Sequence, residues 1–150
     1  MRHKVEIDQS IKIEDKGATI LAFANGLAFA IEIPANVKLT GLQMLRDQAR
    51  KPGVAHRLLF AASLFLLLRD HLDQIERVVI DVEYEGHEAE IGAFLLRFIW
   101  RDYPSFEPWR IEFGLVGKSS PAHHKAEAVR RGKDRKYRRI TEAELAHLLE

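Results

Sequence analysis

The sequence predicts a single α/β domain, residues 1–150, built on a mixed five-stranded sheet. Three observations lead there. The N-terminal part reads as three short strands joined by tight turns. From Thr40 the apolar period changes from two to that of a helix. Two later apolar runs, Arg77 to Glu83 and Trp109 to Val116, then alternate with helical stretches, the signature of crossover connections.

The first strand is Lys4-Val5-Glu6-Ile7-Asp8-Gln9-Ser10, with Val5 and Ile7 on one face and Glu6, Asp8 and Ser10 on the other. Asp15-Lys16-Gly17 is a turn. Thr19 to Ala24 is a second strand, Asn25-Gly26 a hairpin signal, and Leu27 to Ile33 a third strand stopped by Pro34. Thr40 is expected to cap a helix through Leu42, Met44, Leu45 and Ala49, interrupted at Lys51-Pro52-Gly53. A second helix is expected from Val54 to Leu72. Its centre, Leu58 to Leu68, is apolar almost all round, which suits a central packing helix or a subunit contact.

The Val78-Val79-Ile80 opening of the fourth strand suits parallel pairing inside the sheet. His87 to Tyr103 is a helix with Ile91, Phe94, Leu95, Phe98 and Ile99 at helical spacing. Trp109 to Val116 is the fifth strand. Ser120 caps the next helix and Pro121 takes its first position, with Ala122 to Arg131 as its body. Thr141-Glu142-Ala143-Glu144 opens a short last helix.

Composition narrows the functional classes. Hydrophobic residues make up 47% and charged residues 30%, a globular balance. With no cysteine there is neither a disulfide framework nor a thiolate zinc site. The start has no apolar core followed by a small-residue cleavage site, and Leu58–Leu68 is too short to span a bilayer. Together these predict a cytoplasmic protein with no membrane partner. The net charge of +1 conceals an asymmetry. Residues 118–139 hold nine Lys/Arg against two acids, leaving fourteen bases and twenty acids elsewhere. One basic surface on an acidic body suggests a polyanionic partner.

The chemistry-bearing residues fall in three places. Asp8 lies within the first strand. Asp81, Glu83 and Glu85 recur at every second position near the end of the fourth. Ala122-His123-His124-Lys125-Ala126-Glu127 opens the last long helix, where His124 and Glu127, or His123 and Glu127, share a face. Carboxylates from neighbouring strand ends and a helix start make an oxygen-rich site suited to Mg²⁺ or Mn²⁺. If the first and fourth strands are adjacent, their like charges require a cation. A zinc site through His123, His124 and a third ligand is open, without a His-Glu-x-x-His pattern. His3, His56, His71, His87 and His147 share no spacing, and Gly114 to Ser119 lacks the spacing of a phosphate-cradling loop.

From Lys4 to Arg131 the chain resembles the RNase H-like superfamily, specifically its Holliday-junction-resolvase-like nucleases. The motifs are Ile7-Asp8-Gln9-Ser10, Ile80-Asp81-Val82-Glu83-Tyr84 and His124-Lys125-Ala126-Glu127, in that order of elements. The sequence departs from the pattern at Ser10, where the family has glycine, and leaves Asp81, Glu83 and Glu85 as rival acids on the fourth strand. The resemblance implies an RNase H-like fold and metal-dependent hydrolysis of phosphodiester bonds in structured nucleic acid, branched DNA or an RNA–DNA hybrid. Asp8, Asp81 or Glu83, and His124 with Glu127, would hold Mg²⁺ or Mn²⁺, and Lys118 and Lys125 would stabilise the charged transition state. Arg130, Arg131, Lys133, Arg135, Lys136, Arg138 and Arg139, with Lys118, would hold the backbone. Tyr137 and Trp109 are stacking candidates, and the apolar helix a homodimer contact. The competing expectations are a non-catalytic nucleic-acid-binding module and a protein-interaction domain.

Overall fold

Val5 and Ile7 are fully buried, and the strand carrying them, β1 (His3–Ser10), lies inside the sheet of the computed structural model, which describes residues 2–150. β1 pairs antiparallel with β2 (Thr19–Ala24), which pairs antiparallel with β3 (Ala28–Ile33). On its other side β1 runs parallel to β4 (Ile75–Asp81), and β4 parallel to β5 (Ile111–Gly114). A two-residue strand, β6 (Arg138–Arg139), adds parallel to β3, so the order is β5-β4-β1-β2-β3-β6. The mixed sheet thus has six strands, not five. Arg138 and Arg139 are too few to show a period, and tertiary pairing alone makes them a strand.

The meander is close to the expected one. The turn after Ala24 takes three residues because Ala24 already pairs with Ala28, and Gly26 holds a left-handed φ of 78° there. α1 (Ala35–Asp47) starts five residues before the expected cap at Thr40. Thr40 lies mid-helix, its hydroxyl donating to the Asn36 carbonyl four residues back at 3.0 Å. α2 (Pro52–Leu68) begins at Pro52, whose missing N–H costs nothing in a first turn. It closes at Leu68, and a 3-10 segment over Arg69–Gln74 replaces the rest of the expected helix. β4 is consequently shifted two residues back from Arg77–Glu83, so Glu83 lies beyond it. β5 is shorter than Trp109–Val116 because Pro108–Arg110 forms a 3-10 turn.

α3 (Glu88–Asp102) and α5 (Glu142–Leu149) complete the layer over one face of the sheet. Every residue from Leu58 to Leu68 of α2 is buried in that core, leaving this stretch no face for a second subunit. The segment Pro52–Gln74 is long and apolar enough to cross a membrane by composition, yet 67% of its most apolar window is buried within the fold. That is the environment of a soluble-type core helix. α5 opens with a complete capping box between Thr141 and Glu144.

The opposite face carries one helix, α4 (Pro121–Arg130). Its Ala126 and Val129 pack on Ile20, Ala22 and Ala30 of β2 and β3. Small side chains on both partners allow a close approach, which brings the helix's polar face within reach of β1. As expected, Ser120 caps this helix, accepting from the Ala122 amide at 3.2 Å.

Candidate metal centre

α4 runs along β1 and meets its polar face in three steps. The Ser120 hydroxyl donates to Glu6 at 3.0 Å, His123 Nδ1 lies 2.8 Å from Asp8 Oδ2, and the Ser10 hydroxyl donates to Glu127 at 3.2 Å. Strand residues two apart rise about 6.8 Å, close to a helical turn of about 5.4 Å. Residues 6, 8 and 10 therefore register with 120, 123 and 127.

Asp8 is 6% exposed, and its second carboxylate oxygen accepts the Gln9 amide at 2.8 Å. Because β1 and β4 are parallel neighbours, their C-terminal ends coincide, and Asp8, Asp81 and Glu83 converge there. One carboxylate oxygen from each lies within 4.8 Å of the others. Asp81 is fixed by the Val116 amide, which donates to its Oδ1 at 2.8 Å. Two oxygens on opposite sides of an ion at about 2.1 Å stand about 4.2 Å apart, so the group has the spacing of a set that could hold Mg²⁺ or Mn²⁺.

The electrostatics match that reading. Burial pushes the Asp8 carboxyl up, against the pull of His123 and the Gln9 amide, and Asp81 adds to the rise. Burial, then the hydrogen bond with Asp81, pushes Glu83 up to about 7. A cation bound there would displace the proton that Glu83 keeps up to about pH 7. The buried side-chain amide of Gln9 lines the same small gap and offsets part of the Glu83 rise. All of this is hard-oxygen chemistry, and the donor set fits a divalent ion.

The remaining expected site residues fall around this centre. His123, not His124, reaches Asp8; His124 is exposed at the next position. Glu127 lies outside the three-acid group. Arg130 at 2.6 Å holds its carboxyl below the usual range, with Arg131 at 3.6 Å. The Lys125 ammonium points away, 2.6 Å from Asp134 and 3.0 Å from the Lys136 carbonyl. Glu85 is exposed in the loop after Glu83 and is not in the group.

Among the basic residues, Arg138 pairs with Glu144 and Arg139 pairs with Glu32 at 2.7 Å. Lys118, Lys133, Arg135 and Lys136 are exposed, with no carboxylate within ion-pair distance among the described residues. Tyr137 packs on the small core beneath α4. Trp109 is 49% exposed beside the Arg77 guanidinium at the β5 edge.

Sequence reasoning weighed His123 but carried His124 forward into the site, and it passed over the Val116 amide and the Gln9 side chain. Only His123 had a usable signal: positions 120, 123 and 127 share one helical stripe, and 124 is turned about 100° from 123. Comparison with protein-family models, with curated proteins and with solved structures returned no match.

Proposed function

We propose that this protein is a metal-dependent nuclease that hydrolyses phosphodiester bonds in structured nucleic acid, on an RNase H-like fold. The observation that carries the reading is the convergence of Asp8, Asp81 and Glu83 at the C-terminal ends of two adjacent parallel strands. The element order and the antiparallel meander followed by parallel crossovers support the fold assignment, with β6 as an addition at the far edge.

Asp8, Asp81 and Glu83 would hold Mg²⁺ or Mn²⁺, which supplies an activated water and charge stabilisation for the leaving oxygen. The chain's own residues do the positioning. His123 orients Asp8 from α4, and the Val116 amide orients Asp81. The unpaired cations Lys118, Lys133, Arg135 and Lys136 supply backbone attraction for a polyanion without first breaking an ion pair.

The second reading is a nucleic-acid-binding module without catalysis, favoured by the engagement of Glu127 with Arg130 and Arg131. That pairing withdraws the fourth acid from the group.

The test is incubation of the purified protein with a four-way DNA junction, an RNA–DNA hybrid and linear duplex, in Mn²⁺, Mg²⁺ or EDTA. A nuclease cuts the junction or the hybrid in the presence of metal and loses this on Asp8→Asn while still binding. Binding with steep salt dependence and no cleavage in either metal establishes the module instead. Absence of binding at moderate salt leaves a protein-interaction domain.

A further inference from the structure

Glu83 stands two residues beyond the end of β4, where sheet pairing no longer fixes the chain. The last backbone tie before it is the Val82 amide, which donates to the Gly114 carbonyl at 3.1 Å. The next anchor is Tyr84. Its ring packs on Phe60 of α2 with centroids 5.5 Å apart, and its hydroxyl donates to Glu14 at 2.6 Å. Glu83 is therefore held from both sides, and on the distal side by a single aromatic residue.

Glu14 belongs to the turn between β1 and β2, closed by the Asp15 amide donating to the Lys12 carbonyl at 3.0 Å. Ile11 enters that turn at φ 67°, a left-handed conformation that a β-branched residue adopts only under constraint. Lys38 of α1 ties the turn from outside. Its side chain is buried at 3% exposure, and the ammonium donates to the carbonyls of Lys12 at 3.2 Å, Asp15 at 2.7 Å and Gly17 at 2.8 Å. A buried ammonium satisfied by three carbonyls of one turn is a staple, because moving the turn would strand the charge.

Resting on the metal-centre reading above, we propose that Tyr84 is a positioning residue for that centre. It fixes the Glu83 carboxylate through its bond to Glu14, and Lys38 holds the turn that presents Glu14. The chain runs from α1 through the β1–β2 turn to the one metal acid that no strand supports.

The experiment is Mn²⁺ titration followed by electron paramagnetic resonance of the free ion. It compares the wild-type protein with Tyr84→Phe, Glu14→Ala, Glu14→Gln and Lys38→Met, each with a melting curve. Tyr84→Phe keeps the ring on Phe60 and deletes only the hydroxyl, so its melting temperature should stay near the wild-type value. Its Mn²⁺ affinity should fall about 10-fold, the effect typical of an outer-shell partner. Glu14→Ala should match it, and Glu14→Gln, which still accepts from the phenol, should restore wild-type affinity. Lys38→Met should lower both affinity and stability.

Wild-type binding with an unchanged affinity in Tyr84→Phe overturns the inference. If the wild-type protein binds no Mn²⁺, the metal reading itself has failed, and backbone exchange then decides. Tyr84→Phe should speed amide hydrogen exchange at Val82, whose amide donates to the Gly114 carbonyl, about 10-fold if the hydroxyl anchors the segment. An unchanged rate there also overturns it.

Discussion

His123 Nδ1 lies 2.8 Å from Asp8 Oδ2, joining a helix of one sheet face to the buried acid of the sheet's interior strand. The contact exists because α4 packs tightly on Ala22 and Ala30, and because 120, 123 and 127 form one stripe along it. His124 is turned to solvent. His123→Ala should therefore weaken Mn²⁺ binding about 10-fold, and His124→Ala should leave it unchanged. Isothermal titration of both variants separates the two histidines, and equal effects would remove His123 from the site.

Asp8→Asn tests whether the site is held at a cost to stability. Ionised Asp8 is buried beside Asp81 and Glu83, an arrangement that raises its pKa and opposes folding at neutral pH. The neutral amide keeps the shape and removes the charge. In metal-free buffer at pH 7.5, Asp8→Asn should melt at the same temperature as the wild type or higher, with Mn²⁺ binding abolished. A clear drop in melting temperature would mean that the carboxylate is structural, held for its bond to His123.

Glu83 sets the pH dependence. Its folded pKa of about 7 is above its ordinary value of 4.5, so the native state binds the extra proton. Stability from this group is therefore greatest below about 4.5 and declines as pH rises through about 7. Metal affinity runs the other way, since proton and cation compete for the same oxygens. Calorimetry at pH 6 in buffers of different ionisation enthalpy should show proton release on Mn²⁺ binding. That release should shrink above pH 8 and vanish in Glu83→Gln along with the binding itself.

β1 and β3 were legible because half-buried strands keep a period of two, carried by Val5 and Ile7 and by Ile31 and Ile33, whereas β2, buried on both faces, shows as an apolar run between turn signals. Asp8 and the Asp81–Glu83 pair could be seen as acids at strand ends, and their meeting followed from placing the strands side by side. Other features required three dimensions. Thr40 looks like a helix cap because its type suits one, but helix α1 begins as soon as β3 releases the chain after Pro34. Arg138 and Arg139 form a strand only because Ile140 is buried and its amide donates to the Glu32 carbonyl at 2.9 Å. Tyr84, Lys38 and Val116 act through contacts 35 to 70 residues away for Val116 and Tyr84 and 21 to 26 away for Lys38, which no local pattern encodes.

The basic segment divides into cations already in use and cations free to meet a polyanion. Arg138 and Arg139 neutralise Glu144 and Glu32, and Lys125 neutralises Asp134, so recruiting any of these means giving up an existing pair. Lys133, Arg135 and Lys136 give up no ion pair. A Lys133→Glu, Arg135→Glu, Lys136→Glu triple variant should weaken binding to a four-way junction strongly and equally to a linear duplex, because phosphate contacts carry no sequence information. The slope of log affinity against log salt should flatten by ~0.9 for each phosphate the variant no longer neutralises, about 2.7 if all three cations engage. Arg139→Ala should alter that slope little, since its guanidinium faces Glu32, and Arg138→Ala should lower the melting temperature by leaving Glu144 with only the longer Arg69 contact at 3.3 Å. Filter binding across a salt series, with melting curves on each variant, distinguishes these outcomes. A slope that responds to Arg139 but not to the triple change would place the nucleic acid on the β6 edge instead of beyond the end of α4.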